Sequence, residues 1–339
     1  MMKPRMIAAA LALAPWLAMG PPAIAAGPSY SIVQRVSGAD GFWDYASFDP
    51  ASRRIYVAHG DAVMAIDAKS GAATPHFADG SRLHAIVPIP GTNDLLTTNG
   101  GDDTARILSA STGALETSIH TGKGPDAAVF DPASGRVFVM DHAGGDVAVI
   151  DVKRKINAGS IAVGGALEFA AVDGKGKLFV NIEDKSEIAV LSTRSDKVLA
   201  RYALKGCEEP SGLAYTTEGL LISACANGVA KVLNAASGAE VATLKIGARP
   251  DAVIYDASRK LAYIPCGGDG TLTVIATGPA SKVKVLGEAQ TQRGARTGTT
   301  DPSTGRIYLP TAQFTPPPAP GQRPGFVPGS FQVLVLAPG

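Results

Sequence analysis

The chain has 339 residues, with 31 Lys and Arg against 30 Asp and Glu and a formal net charge of +1. That balance excludes strong polyanion binding, which needs clustered cations to displace counterions. Aromatic residues are 6% of the chain, beside 39 glycines and 24 prolines, a composition that predicts many short strands joined by tight turns.

The first 25 residues read as a signal peptide. Lys3 and Arg5 form a basic start, residues 6–19 an apolar stretch, and Ala23-Ile24-Ala25 a small-x-small cleavage site. Cleavage leaves 29 basic against 30 acidic residues, a net charge of −1. No later stretch approaches the roughly 20 apolar residues of a membrane helix. The expected product is a periplasmic or secreted monomer, without a membrane span and without affinity for nucleic acid. The three cysteines, Cys207, Cys225 and Cys266, form no Cys-x-x-Cys, which excludes a dithiol redox motif and covalent haem attachment.

From residue 26 onward the chain repeats itself. One column falls at Asp49, Ile89, Asp131, Asp173, Thr216, Asp256 and Asp301, with spacings of 40, 42, 42, 43, 40 and 45. A period near 42 with short alternating strands predicts an all-β, seven-bladed propeller of four-stranded, WD40-like blades over 26–339. In each unit, strand a ends at Asp-Pro or its equivalent, and a turn such as "ASGR" leads into strand b. Strands c and d follow. Residues 30–36 read as a strand d with no blade before them, and the last unit stops at strand c, over 331–337. The N-terminal strand is therefore expected to close the last blade and remove an exposed sheet edge.

The phrases "PDAVIYD", "AYIPCGGDGTLTVI" and "GARTGTTDPSTGRIYLPTA" resemble the YVTN-repeat, YncE-like bacterial propellers. The resemblance covers the whole mature chain and implies a binding or scaffold role. It carries no catalytic motif. The sequence departs from that pattern where "IYVAH", "VFVMD" and "KLFVN" stand in place of Tyr-Val-Thr-Asn. The recurring Gly-His and Trp-Asp pairs of WD repeats and the recurring Trp of quinoprotein dehydrogenases are absent.

Propeller geometry places the start of strand a and the end of strand b on one face, around the channel. The first column holds Asp44, His84, Asp126, Glu168, Ser211, Asp251 and Arg296. The second holds His59, Asn99, Asp141 with His142, Glu183, Cys225 and Cys266. Such a ring can bind a divalent cation (calcium, zinc or copper) through His84, Asp126 and Glu168, or orient a polyhydroxylated ligand. The expected function is a binding or scaffold propeller meeting its ligand or a periplasmic protein partner at this face. A metal-assisted hydrolase or lactonase is the alternative. An Asp repeated in one column, as at Asp126 and Asp251, also reads as a staple between blades, and the Asp-Pro column reads as turn chemistry. His76 and His120 are expected on solvated outer strands.

The last b–c connection, 311–330, is a Pro-rich insertion. It is expected to form a flap at the channel mouth, with Phe314, Arg323 and Phe326 as contacts. A disulfide is expected between Cys207 and Cys225, because neighbouring antiparallel strand ends lie within bridging distance. Cys266 is then a free thiol beside the ring, where it can act as a soft metal ligand.

Overall fold

The computed structural model describes residue 2, residues 29–319 and residues 324–339. The expected leader, Met2 apart, and Arg323 lie outside the described residues. Seven four-stranded antiparallel sheets account for the regular structure, and the described residues contain only two three-residue 3-10 turns beside them. Six blades run in simple a-b-c-d order. Blade 3, for example, consists of Pro125–Asp131, Arg136–Asp141, Asp146–Asp151 and Ile156–Ala162. The seventh sheet joins both ends of the described chain. Thr299–Asp301, Arg306–Thr311 and Gln332–Pro338 lie in that order, and Tyr30–Ser37 pairs antiparallel with Gln332–Pro338 as the outer strand. Each strand a packs on the next around the ring, and the first meets the seventh.

Residue type follows position. Strands b and c are covered on both faces by the neighbouring blades, so they read as continuous apolar runs rather than alternating ones. Ile55, Tyr56, Val57 and Ala58 are all wholly buried. Each such large side chain contributes about 1.5–3 kcal/mol through burial. The outer strands alternate, as in Lys197–Ala203, where every second residue faces solvent.

At the end of strand a the Asp column caps its own turn. The Asp131 carboxylate accepts hydrogen bonds from the Ala133 and Ser134 amides and from Ser134 Oγ. Asp49, Asp256 and Asp301 repeat the pattern. This is the turn chemistry expected from the Asp-Pro column.

Candidate functional site

The ring residues owe their direction to a repeated backbone irregularity. In blade 1, Trp43 pairs with His59 and the next pair is Ala46 with Val57. Three steps on strand a thus oppose two on strand b. The same extra residue lies between Leu83 and Ile86, Pro125 and Ala128, Leu167 and Ala170, and Pro210 and Leu213. A bulge bends its strand and re-aims the unpaired side chains. Asp44, His84, Asp126, Glu168 and Ser211 all sit in these bulges.

Four of those five, with Asp251, Arg296 and His142, line a cavity of about 380 Å³ on the channel face. Acids and bases alternate around it. Nδ1 of His84 lies 2.7 Å from Asp44 Oδ2 and 3.2 Å from Asp126 Oδ1. Nδ1 of His142 lies 3.1 Å from Glu168 Oε1, and Arg296 Nε lies 3.0 Å from Asp251 Oδ2. The run Asp44, His84, Asp126, His142, Glu168 breaks at Ser211, then resumes with Asp251 and Arg296. Ser211 is turned away, its hydroxyl donating to the Pro250 carbonyl.

The blade-to-blade staple expected of Asp126 and Asp251 falls largely to other residues. Thr98 Oγ1 donates to the Asp126 carbonyl, Thr297 Oγ1 to the Asp44 carbonyl, and Asn181 Nδ2 to the Ser211 carbonyl. Asp251 does join the sixth and seventh units through Arg296. The Asp126 side chain is left facing the cavity.

Tyr45, which stands in neither predicted column, closes the channel. Its ring lines the cavity and reaches Phe169 of blade 4, with ring centroids 5.0 Å apart in an edge-to-face contact. The residues after the ring column are Tyr45, Ala85, Ala127, Phe169, Gly212, Ala252 and Thr297. Seven Cβ atoms converge here, so most must be small. A Cβ on Gly212 would stand 2.4 Å from the Ala252 carbonyl carbon. Two large residues in an otherwise small column were a readable signal for a plug. Arg82, just before strand a of blade 2, also lines the cavity and was missed.

Burial and crowding shape the ring's protonation. Burial pushes Glu168 up to about 8 and Asp251 up to about 7, and Asp126 repels both. Asp44 is raised by the same causes. Burial opposes charge on His84, but Asp126 and Asp44 outweigh it and push the imidazole up to about 10. The hydrogen bond with Glu168 raises His142 to about 9. The Tyr45 phenol is raised far above its ordinary value by burial and the surrounding carboxylates.

The three expected metal ligands do not form one group. Donor atoms of Asp44, His84 and Asp126 lie within 4.8 Å of one another, and so do those of Asp126, His142 and Glu168. Each set holds one imidazole and two carboxylates.

Of the second column only His142 lines the cavity; His59, Asn99, Asp141, Glu183, Cys225 and Cys266 do not. His59 is buried outside the cavity lining, its ring 4.1 Å from that of Phe331, and burial lowers its pKa. Glu183 opens a 3-10 turn outside the lining, although its charge reaches Glu168. Cys266 is wholly buried in an apolar cluster, and burial pushes its thiol up to about 11. It is not beside the ring, and its thiolate is unavailable there. For His59 and Cys266 the cause is register: the last residue of strand b is buried between blades, whereas the bulged strand a points to the axis.

The expected disulfide is present. Cys207 and Cys225 are bonded, with Cα atoms 5.4 Å apart. The Pro-rich connection also departs from expectation. Its arms pair at Phe314 and Phe326, which pack on Trp43 with ring centroids 6.1 and 5.2 Å away. The described part is docked on blade 1 and does not line the cavity.

No family profile matches the chain, and no curated protein sequence does. Solved structures match by shape. Hydrazine synthase of Kuenenia stuttgartiensis aligns with a TM-score of 0.67 at 15% identity, over 78% of this chain and 91% of its own. A chain of the mitotic checkpoint complex aligns at 0.75 and 12% identity over 99% of both. U3-55K aligns at 0.75 and 12% over 91% and 99%. Likeness at this level of identity shows the fold alone: the chain is a seven-bladed β-propeller of WD40-like architecture.

Proposed function

We propose that this chain is a periplasmic or secreted binding propeller of the YVTN-repeat, YncE-like type, and that it holds a small polyhydroxylated molecule in the axial cavity. The observation that carries the reading is the alternating ring of acids and bases around a cavity closed by Tyr45. Alternating donors and acceptors suit a ligand whose hydroxyls both give and take hydrogen bonds. A volume of about 380 Å³ lies in the small-molecule range and is too small for a folded partner. The family part of the reading is supported by the blade phrases, and export by the Cys207–Cys225 bond, since disulfides persist in oxidising compartments. No helix among the described residues is long and apolar enough to cross a membrane.

Calorimetric titration of sugars and polyols tests the proposal. Wild type is expected to bind at least one, and Asp251→Asn to weaken that affinity at least tenfold with the fold retained. Equal affinity in the variant, or no binding across the panel, overturns it. A metal-assisted hydrolase is the second reading, favoured by the two His–carboxylate groups. Hydrolysis of ester or lactone probes that is lost in His84→Ala would select it.

A further inference from the structure

The two His–carboxylate groups share a single residue. Asp126 belongs to both, flanked by His84 with Asp44 on one side and by His142 with Glu168 on the other. We propose that Asp126 bridges two divalent transition-metal ions, one completed by Asp44 and His84 and the other by His142 and Glu168. The inference rests on reading the cavity as a ligand site, and it names the inorganic component of that site.

Two observations carry it besides the donor count. The first is spacing. Nitrogen and oxygen ligands about 2.0–2.2 Å from one ion stand roughly 3–3.6 Å from each other in tetrahedral geometry. His84 Nδ1 to Asp126 Oδ1 is 3.2 Å, and His142 Nδ1 to Glu168 Oε1 is 3.1 Å. The second is an acceptor that is only partly satisfied. Asp126 Oδ1 is buried and accepts no well-directed hydrogen bond among the described residues: His84 Nδ1 stands 3.2 Å away but is directed at Asp44 Oδ2. A buried carboxylate oxygen with a neighbouring charge but no aligned donor has room for a directional partner. A metal ion supplies one, and the second carboxylate oxygen is free to serve the neighbouring ion. Bridged ions of this kind stand about 3.5–4 Å apart.

The donor set also selects the metal. Calcium and magnesium take oxygen ligands, whereas imidazole with carboxylate suits zinc, copper, nickel or iron. Three protein ligands per ion leave positions open toward the cavity, where ligand hydroxyls or water can coordinate. Each ion that enters displaces the proton on its histidine nitrogen, so binding releases protons to the medium.

Equilibrium dialysis of chelator-stripped protein against zinc, followed by elemental analysis, tests the assignment. Wild type is expected to retain two equivalents. His84→Ala and Glu168→Gln should each retain about one, and Asp126→Ala should lose at least a hundredfold in affinity for both. Far-UV circular dichroism and thermal unfolding check each fold, and Asp126→Asn replaces Asp126→Ala if the latter does not fold. Wild type that takes no zinc, or an Asp126 variant that keeps both ions, overturns the proposal. The polyol titration, run on stripped and on zinc-loaded protein, separates the two readings. Polyol binding to stripped protein that takes no zinc sinks the metal assignment alone. Zinc binding with no polyol binding to either form sinks the ligand reading alone.

Discussion

Strand a carries acidic residues at both of its ends, and the two ends live in opposite electrostatic states. At the outer turn, the Asp301 carboxylate is wholly buried yet fully partnered. It accepts from the Ser303 amide, from Ser303 Oγ and Thr304 Oγ1, and pairs with Arg53 of blade 1 at 2.9 Å. Burial opposes its charge, but these partners hold its pKa below the ordinary value, and Asp256 behaves alike. At the axis, Glu168 and Asp251 are raised, because burial and neighbouring carboxylates outweigh their partners. The lesson is that residue type does not separate structural from functional acids. Satisfaction does: an acid whose hydrogen bonds are complete holds the turn, whereas an acid crowded by its own kind has capacity left for a ligand.

The largest effect expected from this contrast lies at the turn. Asp301→Ala removes a wholly buried carboxylate, unpairs the half-exposed Arg53 and leaves the Ser303 amide without its acceptor, so it should cost about 3 kcal/mol. Urea unfolding followed by circular dichroism measures this, and a midpoint equal to wild type would break the comparison at its structural end.

Dependence on pH sharpens the same point with opposite signs. Asp301 and Asp256 have folded values below the unfolded ones, so their contribution is complete above pH 4 and is lost as pH falls through the lowered values. The gap between wild type and Asp301→Asn should therefore narrow as pH falls below 4. Asp251, raised to about 7, is the reverse case. Its folded form keeps a proton that the unfolded chain has shed, so the stability tied to that proton declines as pH rises from about 4 through 7. Asp251→Asn mimics the protonated form. It should match wild type at pH 4 and exceed it by roughly 1–2 kcal/mol at pH 8. Thermal unfolding across pH reads both. A loss of stability at pH 8 in Asp251→Asn would show that this acid is a staple.

The smallest effect marks the edge of the site. Glu183 lies outside the cavity lining, so Glu183→Gln should change polyol affinity by no more than about twofold, and stability by about 0.5 kcal/mol or less. A tenfold loss of affinity would extend the ring to the end of strand b.

Much of the molecule was legible in its residues. The 42-residue period was enough to predict seven units, and the Asp-Pro column to predict its turns, because both are local: a turn is made by residues within three or four positions of its Asp. Cys207 and Cys225 could be paired because neighbouring strand ends have a known separation. Strands Tyr30–Ser37 and Gln332–Pro338 lie within one residue of their expected limits.

Which polar residues reach the axis was decided only by the tertiary structure. His59 and His84 look equivalent in the sequence, since both stand at strand ends on the same face. One is buried against Phe331, and the other is suspended between Asp44 and Asp126. A single extra residue in strand a turns its side chains toward the channel, and the alternation of side chains makes that one-residue shift decisive. Tyr45 has meaning only because seven strands converge on one line, so that a ring carried by blade 1 can touch blade 4. The repeat determined the scaffold because it is written in every unit. The site was decided by contacts between units, where residues far apart in sequence meet, from 26 positions for His142 and Glu168 to more than 100 for Tyr45 and Phe169.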